Sequence, residues 1–158
     1  LAVTEIDYLG DTAYVASIQD ITQYRSDQEK LERVAHSDAL TGLANRTALN
    51  HNLHHAIIRA DRNKQQVALL YIDLDRFKQV NDSFGHLLGD ELIHLVAQKL
   101  ASRARKTDCL GRLGGDELLL ILENITTEAT AADIAGSLIE LFSEQPFTLS
   151  NGAEVLSV

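Results

Sequence analysis

Two pairs of acids dominate the chemistry open to this chain. Asp73 and Asp75 close the apolar run that begins at Val67, and Asp116 and Glu117 follow the Gly114-Gly115 pair. Carboxylates set so close repel one another and lose hydration, so a cation beside them would stabilise the set. Oxygen donors of this kind suit a hard divalent ion, which keeps several waters and needs only one or two carboxylates plus phosphate oxygens. The glycines decide the geometry. Primed hairpin turns need positive φ, which glycine reaches without a Cβ clash. Asp116 and Glu117 are therefore expected at the lip of a buried strand running from Leu118 to Leu122. Two solvated acids on a plain hairpin would carry the same local pattern.

The elements around the acids supply the discriminating information. Val67 to Asp73 is almost continuously apolar, as in a strand buried on both faces. A short helix around residues 77–82 follows, then a break at Gly85 and a long helix to about Arg105. Its stripe is Leu88, Leu92, Leu95, Val96 and Leu100. After the glycine hairpin, residues 126–142 read as a helix on Ala131, Ile134, Ala135, Leu138 and Phe142, stopped by Pro146, and a last strand begins near Glu154. The order from Val67 is β-α-β-β-α-β, a split βαβ arrangement of the ferredoxin-like or palm type. The expected fold class is α+β, an antiparallel-containing sheet with helices on one face. In that topology the first strand lies beside the hairpin, so four acids from two segments should converge.

Upstream, residues 1–9 and 12–20 alternate around Gly10-Asp11 and predict a two-stranded hairpin. Residues 22–37 turn helical and charged, with Ile21, Tyr24, Gln28, Leu31 and Ala35 at heptad spacing and Glu29 able to pair with Arg33. A weak coiled coil and a solvated connector fit that helix equally. Gly42 and an N-cap at Asn45 then introduce a helix to about Arg62, with Leu49, Leu53, Ala56, Ile57 and Ala60 on one face. On that helix His51, His54 and His55 have zinc-like spacing. No acid or cysteine beside them completes a site, so they read as a solvated face.

Composition removes several function classes. Forty-five per cent hydrophobic residues over 158 positions can build a real core. A net charge of −9 argues against a nucleic acid held by a basic field, although a metal ion would still allow a nucleotide. The single cysteine, Cys109, excludes an internal disulfide and, among apolar neighbours, reads as a small core residue. That suits a reducing compartment, and a cytoplasmic location is expected, with a parent protein that could be membrane-attached. No apolar run approaches the roughly 20 residues of a membrane span. The chain starts at Leu1 and lacks methionine, as an excised piece of a longer protein would.

The motifs resemble a known family. Asp38-Ala-Leu-Thr-Gly-Leu-Ala-Asn-Arg46, Tyr71-Ile-Asp-Leu-Asp-Arg-Phe-Lys78, Asn81-Asp82, Phe84-Gly-His86, Gly89-Asp90 and Arg112-Leu-Gly-Gly-Asp-Glu-Leu118 together resemble the GGDEF domain of diguanylate cyclases, whose fold is nucleotide-cyclase-like. The resemblance makes residues 38–158 a GGDEF domain truncated at its C-terminus and residues 22–37 a signalling or linker helix. Residues 1–21 look like the tail of a PAS sensor domain. The family condenses two GTP molecules into cyclic di-GMP with release of pyrophosphate, as a homodimer of facing domains. It uses two Mg²⁺ (or Mn²⁺) ions per half-site.

By the same resemblance, Asp73, the Leu74 carbonyl, Asp116 and Glu117 are metal ligands, and Asp116 accepts the proton of the 3′-hydroxyl with Glu117 beside it in catalysis. Asn81 and Asp90 read guanine, His86 touches substrate and Lys78 binds phosphate. Arg105 and Asp108, in Arg105-Lys-Thr-Asp108, match the product-inhibition site that binds cyclic di-GMP. Asp75 and Asp82 read instead as caps or solvated acids at helix starts, and Asp38 and Arg46 as ion-pairing residues that tie the turn before the first helix to the domain. Two departures stand out. Leu118 replaces the usual Phe, a change of packing more than chemistry. The family also continues past the position of Val158, through a lysine and an arginine on the triphosphate. The rival function is a receptor module that binds GTP or cyclic di-GMP without turnover. Dimerisation alone explains none of the acids.

Overall fold

The computed structural model describes residues 2–8, 11–17, 20–23, 34–143 and 146–155. The chain divides into two units, residues 1–33 and 34–158. In the first, β1 (Ala2–Tyr8) and β2 (Asp11–Ser17) pair antiparallel with Tyr8 opposite Asp11, the hairpin the alternation predicts. Of the expected Gly10-Asp11 turn, Asp11 begins β2 and Gly10, like residue 9, lies outside the described residues. So do residues 24–33, which carry Tyr24, Gln28, Leu31 and the Glu29–Arg33 pair of the expected heptad helix.

The second unit is built on a three-stranded antiparallel sheet. Its strands are β3 (Gln66–Ile72), β4 (Cys109–Gly114) and β5 (Glu117–Ile125), in the order β3-β5-β4. Ile72 stands opposite Leu118 and Tyr71 opposite Leu119, while Leu110 faces Leu120 on the other side. The first core strand thus lies against the second arm of the glycine hairpin, as the split βαβ reading requires.

Strand side chains alternate between faces, so each face needs its own cover. Leu110, Leu118, Leu120 and Leu122 pack with Leu92, Val96 and Leu100 of α3 (His86–Ala101) and with Leu138 and Phe142 of α4 (Glu128–Ser143). Leu92, Ile93, Val96 and Leu100 are at most 1% exposed, and each contributes about 1.5–3 kcal/mol by burial. Ile121, Leu119 and Cys109 point the other way, onto Leu49, Leu53 and Ala56 of α1 (Arg46–Asn63). Helices therefore cover both faces, not one. The expected topology began at Val67 and left out α1, whose apolar stripe also needs a partner.

Three further details depart from expectation. β3 is not buried on both faces: it is an edge of its sheet among the described residues, with Leu69 and Tyr71 48% and 58% exposed. A run of apolar residues does not reveal how many neighbours cover it. α3 stops at Ala101, where the Ser102 hydroxyl donates to the Lys99 carbonyl and a string of turns replaces the last predicted helical turn. β7 (Glu154–Val155) begins where the last strand is expected, but its antiparallel partner β6 (Phe147–Thr148) is too short to register as periodicity. Ser150 ties this hairpin to α3 by donating its N–H and hydroxyl to Glu91. Asn45 caps α1 as predicted, its side-chain oxygen accepting from the Ala48 N–H at 3.0 Å. Among the described residues, no helix is long and apolar enough to cross a membrane.

Candidate functional site

The glycine turn positions the first acid. Gly114 pairs with Glu117, which leaves Gly115 and Asp116 as the two loop residues. Gly115 has φ 58° and Asp116 does not enter the left-handed region, the φ pattern of a II′ rather than a I′ turn. Asp116 is therefore at the tip of the turn and Glu117 is the first residue of β5. Arg112 holds this turn. Its Nε and Nη2 donate to the Gly115 carbonyl at 2.9 and 2.7 Å, and its Nη1 reaches both Asp38 oxygens at 3.2 Å.

Asp38 also accepts from the Thr41 N–H and hydroxyl at 2.9 and 2.8 Å. Burial by itself pushes its carboxyl up. The Thr41 bonds, the Arg112 bond and the Arg112 charge outweigh that and hold it below the usual carboxylate range. Asp38 thus has the ion-pairing role expected of it, with Arg112 as its partner.

Across the sheet, the Ile72–Leu118 pair puts Asp73 one step beyond β3, on the side of Glu117. Interaction with Glu117, burial and the charges of Glu117 and Asp73 push the Tyr71 phenol up, against an opposing effect of Arg46. Tyr71, Glu117, Asp73 and Arg46 therefore share one local field. Sequence reasoning gave Tyr71 no role. Its signal was the spacing of two from Asp73, which puts both on one face of β3.

The expected convergence of four acids does not form. Among the described residues, no three His, Cys, Asp or Glu side chains group closely enough to hold a metal. Asp116 is on the turn and Glu117 on the strand beside Asp73, and like charges with no cation between them spread apart. Asp75 instead lines a recess with Arg76, Gln79 and Glu154. The donors present still fit a hard cation that keeps most of its water: Asp73 and Glu117 on neighbouring strands, and Asp116 on the adjoining turn. The Leu74 carbonyl accepts from the Phe77 N–H at 3.2 Å and retains a second lone pair, and its side chain is anchored in the core.

The predicted nucleotide-binding residues lie on the corner between α2 (Phe77–Phe84) and α3. Lys78, His86 and Asp90 are exposed there. Asn81 is half-buried, and its Oδ1 is fully enclosed without a hydrogen-bond partner. A buried acceptor in that state costs about 1–3 kcal/mol. Gly89 makes the arrangement possible, because a Cβ there would run into the Asn81 amide. The chain enters α2 through Arg76 at φ 59°, a non-glycine residue in the left-handed region that costs about 1–3 kcal/mol.

Arg105 and Asp108 lie apart from that corner by sequence, on the turn before β4. Asp108 Oδ2 accepts from the backbone N–H of Arg105 at 3.0 Å, and the Asp108 N–H returns a bond to the Arg105 carbonyl. Asp108 Oδ1 is enclosed and unpartnered, and the Arg105 side chain is exposed. Cys109, next along, is half-buried and accepts from Asn52 Nδ2 at 3.1 Å, and burial pushes its thiol up. It is a packing residue, as expected.

Comparison with known proteins bears on the family and the fold. Residues 35–157 match the family described as diguanylate cyclase, GGDEF domain. The chain is 43% identical over 118 residues to cyclic di-GMP phosphodiesterase PdeR of Escherichia coli, covering 75% of this chain and 18% of that protein. It is 32% identical over 157 residues to diguanylate cyclase TpbB of Pseudomonas aeruginosa, covering 97% of this chain and 36% of that protein. It superposes with a TM-score of 0.76, at 28% identity, on the coiled coil and GGDEF domain of DgcB from Caulobacter crescentus in complex with c-di-GMP, covering 86% and 71% of the two chains. The chain thus spans well under half the length of these curated relatives.

Proposed function

The chain belongs to the GGDEF-domain family of diguanylate cyclases, and from that premise we propose that its parent protein condenses two GTP molecules into cyclic di-GMP. The observation that carries the reading is the β3–β5 register, which sets Asp73 beside Glu117 next to the clamped turn of Asp116. Phosphoryl transfer needs positioning and charge neutralisation more than covalent help from the protein. Mg²⁺ or Mn²⁺ bound at Asp73, Asp116, Glu117 and the Leu74 carbonyl would supply charge neutralisation at the phosphates. The protein's own groups do the rest. Asp116 accepts the proton of the 3′-hydroxyl, and the Arg112 clamp on Gly115 holds that carboxylate at the tip of the turn. Asn81 and Asp90 take the guanine edge, the Asn81 amide turning out from Gly89 to present its Oδ1 as acceptor. His86 touches the nucleotide and Lys78 a phosphate. Two copies face each other, each presenting one GTP.

Product regulation belongs to the same proposal. Asp108 can accept from a guanine N–H once its carboxylate turns outward from the enclosure of Oδ1, and the exposed Arg105 fork can take guanine or phosphate oxygens in two bonds. Incubating the full-length protein with GTP and Mg²⁺ and chromatographing the nucleotides tests the whole reading. Cyclic di-GMP should appear and should be abolished in Asp116→Asn with the fold intact. Undiminished synthesis by that variant removes Asp116 from its role.

The PdeR match favours a second reading, a domain that binds GTP or cyclic di-GMP within a protein of another activity. It predicts nucleotide binding with no condensation in the same assay.

A further inference from the structure

We propose that His51 and His55 form a two-histidine chelate for a borderline-soft divalent cation such as Zn²⁺ or Ni²⁺ on the outer face of α1. The two residues are one helical turn apart, and both are exposed. Their Nε2 atoms stand 3.1 Å apart, with ring centroids separated by 4.4 Å and planes tilted by 57°. Two imidazole nitrogens at that distance cannot both carry a hydrogen, so one already aims a lone pair at the other. When a cation binds, the donor ring moves that hydrogen to its own Nδ1 by tautomerisation, and the cation takes both Nε2 lone pairs.

The geometry suits that exchange. A metal–nitrogen distance of about 2.0–2.1 Å across a 3.1 Å separation subtends about 98°. That value lies between the roughly 90° of square-planar or octahedral neighbours and the roughly 109° of a tetrahedron. Each Nε2–metal vector then lies about 41° off the Nε2–Nε2 line, so the rings turn by about that much, and water fills the remaining positions.

The backbone beneath the pair is held in advance. Asn45 caps the start of α1, Leu49 and Ala56 are buried against the sheet, and Asn52 donates to Cys109. Preset spacing reduces the ordering cost of chelation. Arg59, one turn beyond His55, is engaged by Glu123 at 2.6 and 2.9 Å, so its charge is offset. The net charge of −9 also favours a bound cation. His54 stands edge-on to His55 with centroids 5.9 Å apart and is not part of the chelate. Imidazole ligands select Zn²⁺, Ni²⁺ or Cu²⁺ over Mg²⁺, so this site is chemically distinct from the acids at the glycine turn.

The test is calorimetric titration of the protein with Zn²⁺ and Ni²⁺ in chelator-free buffer holding millimolar Mg²⁺ to occupy the carboxylates, with histidine proton signals followed by NMR. One ion should bind, shifting the His51 and His55 signals. His51→Ala and His55→Ala should each weaken binding by about tenfold or more, while His54→Ala stays within about threefold. All three side chains are exposed, so none of the variants opens the core. Absence of binding below millimolar metal overturns the proposal. So does binding that survives the double variant His51→Ala/His55→Ala, or a loss in His54→Ala as large as that in the other two.

Discussion

Replacing Arg112 by alanine should cost more than an ordinary surface substitution, and the structure allows the size to be worked out. The Arg112 and Asp38 side chains are 13% and 20% exposed, so the pair is neither fully desolvated nor freely solvated. Three groups lose donors at once: the Gly115 carbonyl and both Asp38 oxygens. Hydrogen bonds involving a charged group are worth about 1.5–3 kcal/mol each, and breaking a fully buried pair costs about 3–5 kcal/mol. Asp38 keeps its two Thr41 bonds and some solvent, so the net loss should be about 2–3 kcal/mol. Thermal unfolding should show this as a fall in Tm of about 6–10 °C. A double-mutant cycle with Asp38→Ala should return a coupling of about 1–2 kcal/mol.

The acid limb provides an independent reading. The Asp38 carboxyl is depressed in the folded state, so its contribution is fully present above the unfolded value, near 3.8, and is lost as pH falls through the folded one. Arg112→Ala should flatten that loss below about pH 4. Additive single variants with an unchanged acid limb would refute the clamp. Cyclic di-GMP synthesis should fall in Arg112→Ala even at temperatures where the variant stays folded, because the Gly115 carbonyl is released beside Asp116.

Two further variants separate binding from folding. Gly89→Ala introduces a Cβ that displaces the Asn81 amide; stability should drop by about 1–2 kcal/mol, while KM for GTP rises about tenfold, and an unchanged KM would detach Asn81 from guanine. Arg105→Ala should relieve inhibition by cyclic di-GMP with the uninhibited rate unchanged, since Asp108 is tied to the Arg105 backbone and not to its side chain; identical inhibition curves would discard that site.

Local chemistry carried much of this protein. The Asn45 cap, the Gly114-Gly115 turn, the break at Gly85 and the apolar stripe of α3 depend on φ preferences and periodicity within a few residues, and all are legible in the sequence. The motif series from Asp38 to Leu118 likewise identified the family, and Leu118, in place of the usual Phe, is fully enclosed in the core. What depends on non-local partners was not legible. Nothing near Asp38 announces Arg112, 74 residues away, and nothing in α1 says that its stripe covers the second face of the sheet. The edge position of β3 follows from strand order, and the place of Asp73 beside Glu117 from register. Sequence determined which residues can turn, cap, pack and ligate; only the tertiary structure decided which of them meet, because register and layer are set by packing between distant segments.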